Sequence, residues 1–283
     1  LATQYTGVGK LDSYVPPTAT ATSTYQPPTT NPPTSTPTSS PVGDLFIKTY
    51  MPSDSSAAKL WKSYIAKEIG NSSEPGTYDV ATTGTGTARK VYRTIVVKQG
   101  TTYDGKGEVL TPVNMGDGSQ DEGQCPVFLL EPGAQLKNVT ITAPGCEGVH
   151  MMGDNRLENV HWQDIGEDAA STRSYFPGGE IIIVNCSGQE AYDKMFQFNS
   201  PCTVKIKNVT AKNVAKLVRQ NGGTSFTLTV YLDSVTLDGV KDSIVRSDSN
   251  NCKVYYCNLK TSNVKTMWKL KTTPQTFGGL GNI

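Results

Sequence analysis

A four-residue phrase, apolar-x-Asn-apolar, returns along the C-terminal half of this chain and confines it to a stacked architecture. It reads Leu136-Lys137-Asn138-Val139, Leu157-Glu158-Asn159-Val160, Ile183-Val184-Asn185-Cys186 and Ile206-Lys207-Asn208-Val209. Leu232-Asp233-Ser234-Val235 and Val254-Tyr255-Tyr256-Cys257 continue it, and the third positions step by 21, 26, 23, 26 and 22 residues. A second ladder runs between these rungs through Glu147-Gly148-Val149, Asp168-Ala169-Ala170, Asp193-Lys194-Met195, Ala215-Lys216-Leu217 and Lys241-Asp242-Ser243. Two interleaved ladders of one period mean one structural unit repeated.

Each unit carries short β-type runs broken by Gly, Asn and Asp, and no unit contains a convincing helical pattern. The period suits one coil of a parallel β-helix. A leucine-rich repeat has a similar length, but its Leu-x-x-Leu-x-Leu signature is missing. The expected fold is therefore all-β, a single-stranded parallel β-helix. Equivalent residues on successive coils should then stack about 4.8 Å apart, and each coil buries its apolar positions against the next. Asn138 and Asn208 each open an Asn-x-Thr sequon, but both lie on the ladder, which marks them as stacked structural asparagines rather than glycan sites.

Upstream of the ladder the composition changes. Residues 14–43 contain no charged residue and hold eight of the 17 prolines, among Thr and Ser. Such a segment cannot bury a core and reads as a disordered linker. The expected organisation is a tail and linker over 1–43, a capping segment over 44–87 and the β-helix over 88–283. Within the middle segment, residues 54–69 are the single helix candidate, covering an open end of the solenoid. The start of the chain has no charged-then-apolar export signal, so any such signal is expected to be already absent. No apolar run approaches a membrane span. The net charge of +1 points to neither nucleic acid nor an anionic membrane as a partner.

The six cysteines permit disulfides. Cys125 lies fourteen residues before Val139, and Cys146 fourteen before Val160. They hold one position on adjacent coils, so a Cys125–Cys146 bridge is expected, and with it an oxidising, extracellular compartment. Cys186 with Cys202 is a weaker second pair.

Acidic residues gather on consecutive coils at Glu147, Glu167, Asp168 and Asp193. Carboxylates stacked one strand apart repel unless a cation lies between them, and an all-oxygen set suits Ca²⁺. The alternative is ordinary polar turn residues. Basic residues follow in coil order: Lys194, Lys216 and, three residues on, Arg219. A lysine packed beside other cations sheds its proton more readily. These three are candidates for polyanion binding and proton abstraction, or else for a salt-bridged strand surface. The two histidines, His150 and His161, have no Ser or Cys motif beside them, which argues against a nucleophilic triad.

Several runs then carry a family resemblance: Gly116-Asp117-Gly118-Ser119-Gln120, Gly148-Val149-His150, Gly166-Glu167-Asp168-Ala169, Tyr192-Asp193-Lys194-Met195-Phe196-Gln197 and Lys216-Leu217-Val218-Arg219-Gln220-Asn221-Gly222-Gly223. In order and spacing, over about residues 88–270, they resemble polysaccharide lyase family 3, the small pectate lyases. The resemblance implies a right-handed β-helix and Ca²⁺-dependent cleavage of polygalacturonate by a secreted enzyme, expected to be monomeric. It makes Glu167 and Asp168 metal ligands together with Glu147, which stands where members typically have Asp. It makes Lys194, Lys216 and Arg219 the basic site, with Lys194 as base, and Glu122 an acid beside it. Arg173 falls at a position that can be Lys, so its charge carries over as a substrate contact. Two other readings share the scaffold: a polygalacturonase-type hydrolase, which needs paired carboxylates flanking a sugar, and a non-catalytic pectin-binding or effector protein.

Overall fold

The structure is a computed structural model that describes residues 78–173 and 179–283. The linker and the helix expected at 54–69 lie outside the described residues. Among the described residues every regular element is a strand, and every pairing between strands is parallel. The strands wind into a β-solenoid of about eight turns, as the repeat predicted.

Three stacked faces build the coil. The first runs through Gln135–Ile141 in its opening half, then Arg156–Trp162 likewise, Glu180–Val184, Cys202–Lys207, Leu228–Asp233 and Cys252–Cys257. The second follows through Val139 to Ile141, Val160 to Trp162, Ser187–Gln189 and the opening halves of Thr210–Gln220 and Thr236–Arg246. The third stacks Ile95–Val97, Phe128–Leu130, Val149–Met151, Ala170–Thr172, Lys194–Phe198, the closing halves of the two long strands, and Trp268–Lys269.

Inward positions form columns. Leu136, Leu157, Ile183, Ile206 and Leu232 are fully buried on the first face. Phe128, Val149, Ala170, Phe196 and Val218 do the same on the third. Each large apolar side chain so buried contributes on the order of 1.5–3 kcal/mol, and Trp162 meets Phe196 edge-on with ring centroids 6.1 Å apart.

The corner between the first and second faces explains the asparagines. Asn138, Asn159, Asn185 and Asn208 have φ of 57°, 55°, 56° and 52°. This left-handed bend is costly for most residues and tolerated by Asn. Their amides also stack: Asn159 Nδ2 donates to Asn138 Oδ1 at 2.9 Å, and Asn208 Nδ2 to Asn185 Oδ1 at 3.1 Å. The last rung needs correction. Asp233 pairs with Cys257, so the corner residue of that coil is Asn258, with φ 52°, and not Tyr256. Val254 pairs with Val230 and Tyr256 with Leu232, so the sequence phrase was matched two residues early there.

The cysteines also need correction: none of the six is disulfide-bonded. Cys125 and Cys146 do occupy adjacent coils, as the register of Phe128 with Val149 requires. Cys146 lies in a left-handed bend with φ 54°, and although the charge of Cys125 acts on its thiol, no bond joins the two. Cys186 is buried and its thiol donates to Val184 O at 3.2 Å instead of facing Cys202.

Asn159→Ala should lower stability by about 2 kcal/mol, from the left-handed backbone cost and one lost hydrogen bond. Asn159→Gly should cost about half of that, because glycine keeps the bend. Urea unfolding midpoints decide the matter, and an alanine variant no weaker than the glycine variant would contradict this account of the corner.

Candidate functional site

The site lies along the edge of the third face. Phe196 pairs with Ala170, and Val149 with Ala170. Carried back two residues, this register puts Lys194 beside Asp168 and Asp168 beside Glu147. Lys194 then pairs directly with Lys216, and Lys216 with Ser243. The column therefore reads acid, acid, lysine, lysine. The second sequence ladder had aligned Asp193 and Ala215 with Asp168, one residue short. The shift matters because it brings Lys194 itself over the acids.

Two local devices allow this. Gly148 has φ +56°, and a Cβ there would lie 2.2 Å from Ala169 O, so only glycine lets the coil carrying Glu147 approach the next one. Gly166 is similar without a left-handed bend: a Cβ would meet Cys146 O at 2.3 Å. Next to Lys216, the strand Thr236–Arg246 carries one extra residue between the partners of Val214 and Lys216, a bulge that re-aims the neighbouring side chains.

Glu147, Glu167, Asp168, Lys194 and Lys216 are all buried. Lys194 Nζ contacts Glu167 Oε1, lies 3.3 Å from Asp168 Oδ1 and 3.4 Å from Asp193 Oδ2. Lys216 Nζ contacts Asp193 Oδ1. Arg219 Nη2 donates to Asp248 Oδ2 at 2.7 Å. Glu122 sits on the loop before Cys125, which is tied to the site by Gln120 Nε2 donating to Gly166 O at 3.0 Å. One carboxylate oxygen from each of Glu122, Glu147 and Glu167 falls within 4.8 Å of the others. Arg173 directly follows the strand Ala170–Thr172, close enough to act on the charge of Glu122.

The electrostatics describe a crowded acidic pocket. Burial, and then the charge of Glu167, push the Asp168 carboxyl well above the usual carboxylate range despite Lys194. Partial burial raises Glu122 as well, aided by the charges of Glu167 and Glu147. For Lys194, burial pulls the pKa down, but the charge of Asp168, the hydrogen bond to Glu167 and the charge of Asp193 outweigh it and hold the ammonium above its ordinary value. This corrects the expectation that neighbouring cations depress Lys194. The reason is the acids around the amine, Asp168 and Glu167 first and then Asp193, which was read as a fourth member of the acid cluster. Asp193 stands between the two lysines and contacts both, and Lys216 and Lys194 hold its own carboxyl below the usual range against the effect of burial.

These residues fit a hard cation. The donors are all oxygens. Asp168 Oδ1 is buried and accepts no well-aligned hydrogen bond, and burial first, then the charges of neighbouring carboxylates, raise Asp168 and Glu122, a cost that a divalent ion would offset. The geometric triad includes Glu122 in place of the sequence-expected Asp168, so four acids offer ligands. His150 is buried with Nε2 3.4 Å from Glu147 Oε2, where it orients that carboxylate. The three-residue spacing along one strand edge was its only signal. Asp248 gave no signal, because its partner Arg219 lies 29 residues away.

A parallel β-solenoid with a buried file of carboxylates and lysines along one flank defines the class. The Pectate lyase family model matches residues 79–275, and the chain belongs to that family. Among curated relatives, a "Probable pectate lyase E" of Neosartorya fischeri is 40% identical over 126 residues, 44% of this chain and 49% of that protein. "Pectate lyase E" of Emericella nidulans is 40% identical over 126 residues, 44% of this chain and 48% of its own length. The chain thus matches about half the length of these relatives. The catalytic domain of pectate lyase PelI from Erwinia chrysanthemi aligns over 69% of this chain and 84% of that one, with 24% identity and a TM-score of 0.47.

In metal-free protein, Lys194→Met leaves Glu167 and Asp168 without their counter-charge and should cost about 3–5 kcal/mol near pH 8. Asp168 has a raised folded pKa, so its contribution is full below the unfolded pKa and is lost as pH rises through the folded one. The variant's deficit should therefore shrink at pH 5, and Ca²⁺ should recover part of it at pH 8. Thermal melts at both pH values check this; a deficit indifferent to pH and to Ca²⁺ would contradict the geometry.

Proposed function

We propose that this chain is a secreted pectate lyase that cleaves α-1,4-polygalacturonate by Ca²⁺-dependent β-elimination, leaving 4,5-unsaturated oligogalacturonides. The observation that supports it most is the contact of Lys194 with Glu167 and Asp168, a proton acceptor held directly against a cation-ready acid cluster.

Glu147, Glu167 and Asp168 would hold Ca²⁺, with Glu122 at the rim. When bound, the ion withdraws charge from a galacturonate carboxylate and so acidifies the α-proton on C5. Glu167 and Asp168 cannot serve an ion and the Lys194 ammonium at once. Were they to turn toward a bound ion, they would free the amine from the charges that retain its proton, and Lys194 Nζ, once neutral, would take the C5 proton. The electron pair of that C–H bond becomes the C4–C5 double bond, and the C4–O bond breaks. Glu122, whose pKa is raised, or a water protonates the leaving glycosidic oxygen. Lys216, Arg219 and Arg173 bind sugar carboxylates, and Lys216 with its Asp193 partner keeps Lys194 in line. Secretion follows from the Pro, Thr and Ser segment at 14–43 and from a polymeric substrate, and no longer from a disulfide. A monomer suffices, because every residue invoked lies on one chain.

Polygalacturonate turnover, read by ultraviolet absorbance of the unsaturated product, should require added Ca²⁺ and be abolished by EDTA. Lys194→Ala should lower kcat by about 10²–10⁴-fold, the usual worth of a general base. Full activity in that variant removes the base assignment. New reducing ends without ultraviolet product would point to hydrolysis instead.

A further inference from the structure

Three residues beyond the Asp168–Lys194–Lys216 column, a second column crosses the same face. Gln197 pairs with Arg219, Arg219 with Arg246, and Arg246 with Lys269. Three cations therefore occupy one position on three consecutive coils, at the strand spacing of about 4.8 Å. They begin where the basic site ends and run along the solenoid axis, away from the acid cluster.

Their counter-charges are incomplete. Asp248 serves Arg219 at 2.7 Å. Asp242 is shared by Arg246, whose Nη1 is 3.4 Å from Oδ2, and by Lys269, which contacts Oδ1, and Asp248 also feels the charge of Arg246. Among the described residues, two carboxylates thus face three cations. The Arg246 and Lys269 side chains are each 39% exposed, against 13% for Arg219. The strip opens to solvent as it leaves the site, whereas a merely structural ion-pair network would match its charges. A row of exposed, under-neutralised donors at regular spacing suits a ligand that presents carboxylates at regular spacing.

We propose that Arg246 and Lys269 extend the site past Arg219 and bind successive carboxylates of a polyuronate chain, so that the protein favours long substrates over short ones. This rests on the lyase reading above. It also gives that reading a direction, with the polymer lying along the solenoid axis from the acid cluster toward Lys269.

The test compares Arg246→Gln/Lys269→Gln with the unmodified chain on polygalacturonate and on trigalacturonate, with Lys253→Gln as a control. Lys253 is an exposed lysine on the first face, remote from the strip in register. The double variant should raise KM for the polymer about 5–10-fold with kcat within twofold, the pattern of lost uniform binding. For the trimer the KM should move less than twofold, the control should behave as unmodified protein, and Arg246→Lys should recover part of the polymer affinity. An unchanged polymer KM overturns the proposal. So does an equal rise for the trimer, or an equal rise from Lys253→Gln, which would reduce the strip to a general field. If the unmodified chain yields no unsaturated product, the lyase reading fails by itself. Calorimetric titration with polygalacturonate then still decides the strip, since equal affinity in the double variant and the unmodified chain would overturn it.

Discussion

The parallel register between coils is the constraint from which the rest of this molecule follows. Hydrogen bonding fixes which residue of one coil lies over which residue of the next, and a slip of one would turn inward side chains outward. Because Phe196 locks onto Ala170 and Val218, Lys194 has no choice but to stand above Asp168 and below Lys216. The core columns of Phe, Val, Leu and Ile make that register costly to change. The site is thus held by the same packing that holds the fold: Lys194, Lys216 and Arg219 sit on strands, and Glu147, Glu167 and Asp168 sit in the turns that lead directly into the strands Val149–Met151 and Ala170–Thr172.

The arrangement stores opposed charge. Five buried ionisable side chains, Glu147, Glu167, Asp168, Lys194 and Lys216, give up solvation that their mutual contacts only partly restore. Asp168 shows the deficit most clearly, with an oxygen lacking an aligned hydrogen bond and a carboxyl that resists ionising. In this state the acids and Lys194 neutralise each other. The same contact would couple binding of a cation to the protonation of Lys194, since the two would compete for the same oxygens. Farther along the face the charges spread out, and Asp242 and Asp248 only partly balance Arg219, Arg246 and Lys269.

Much of this was legible in the residues, because a stacked fold converts sequence spacing into spatial columns. The Asn138, Asn159, Asn185 and Asn208 rungs mark a real corner, for the plain reason that few other side chains accept φ near +55°. The membership of the acid and lysine cluster was visible as well. Details that depend on one residue were not. Asp193 and Lys194 are neighbours in sequence, and only the register tells which of them faces Asp168. The Cys125–Cys146 expectation had the correct coils but could not foresee the left-handed backbone at Cys146.

Repetition within the chain determined a parallel solenoid, its coil length and the corner asparagines, since a repeated unit with unpaired strand edges has little else to pair with than its own copies. Tertiary structure alone decided which charges meet: Asp193 between two lysines, His150 on Glu147, Asp248 on Arg219, and three cations in file to Lys269. Those contacts join residues a coil or more apart, and their geometry depends on bulges and glycine approaches that alter a register by one residue without leaving any periodic trace.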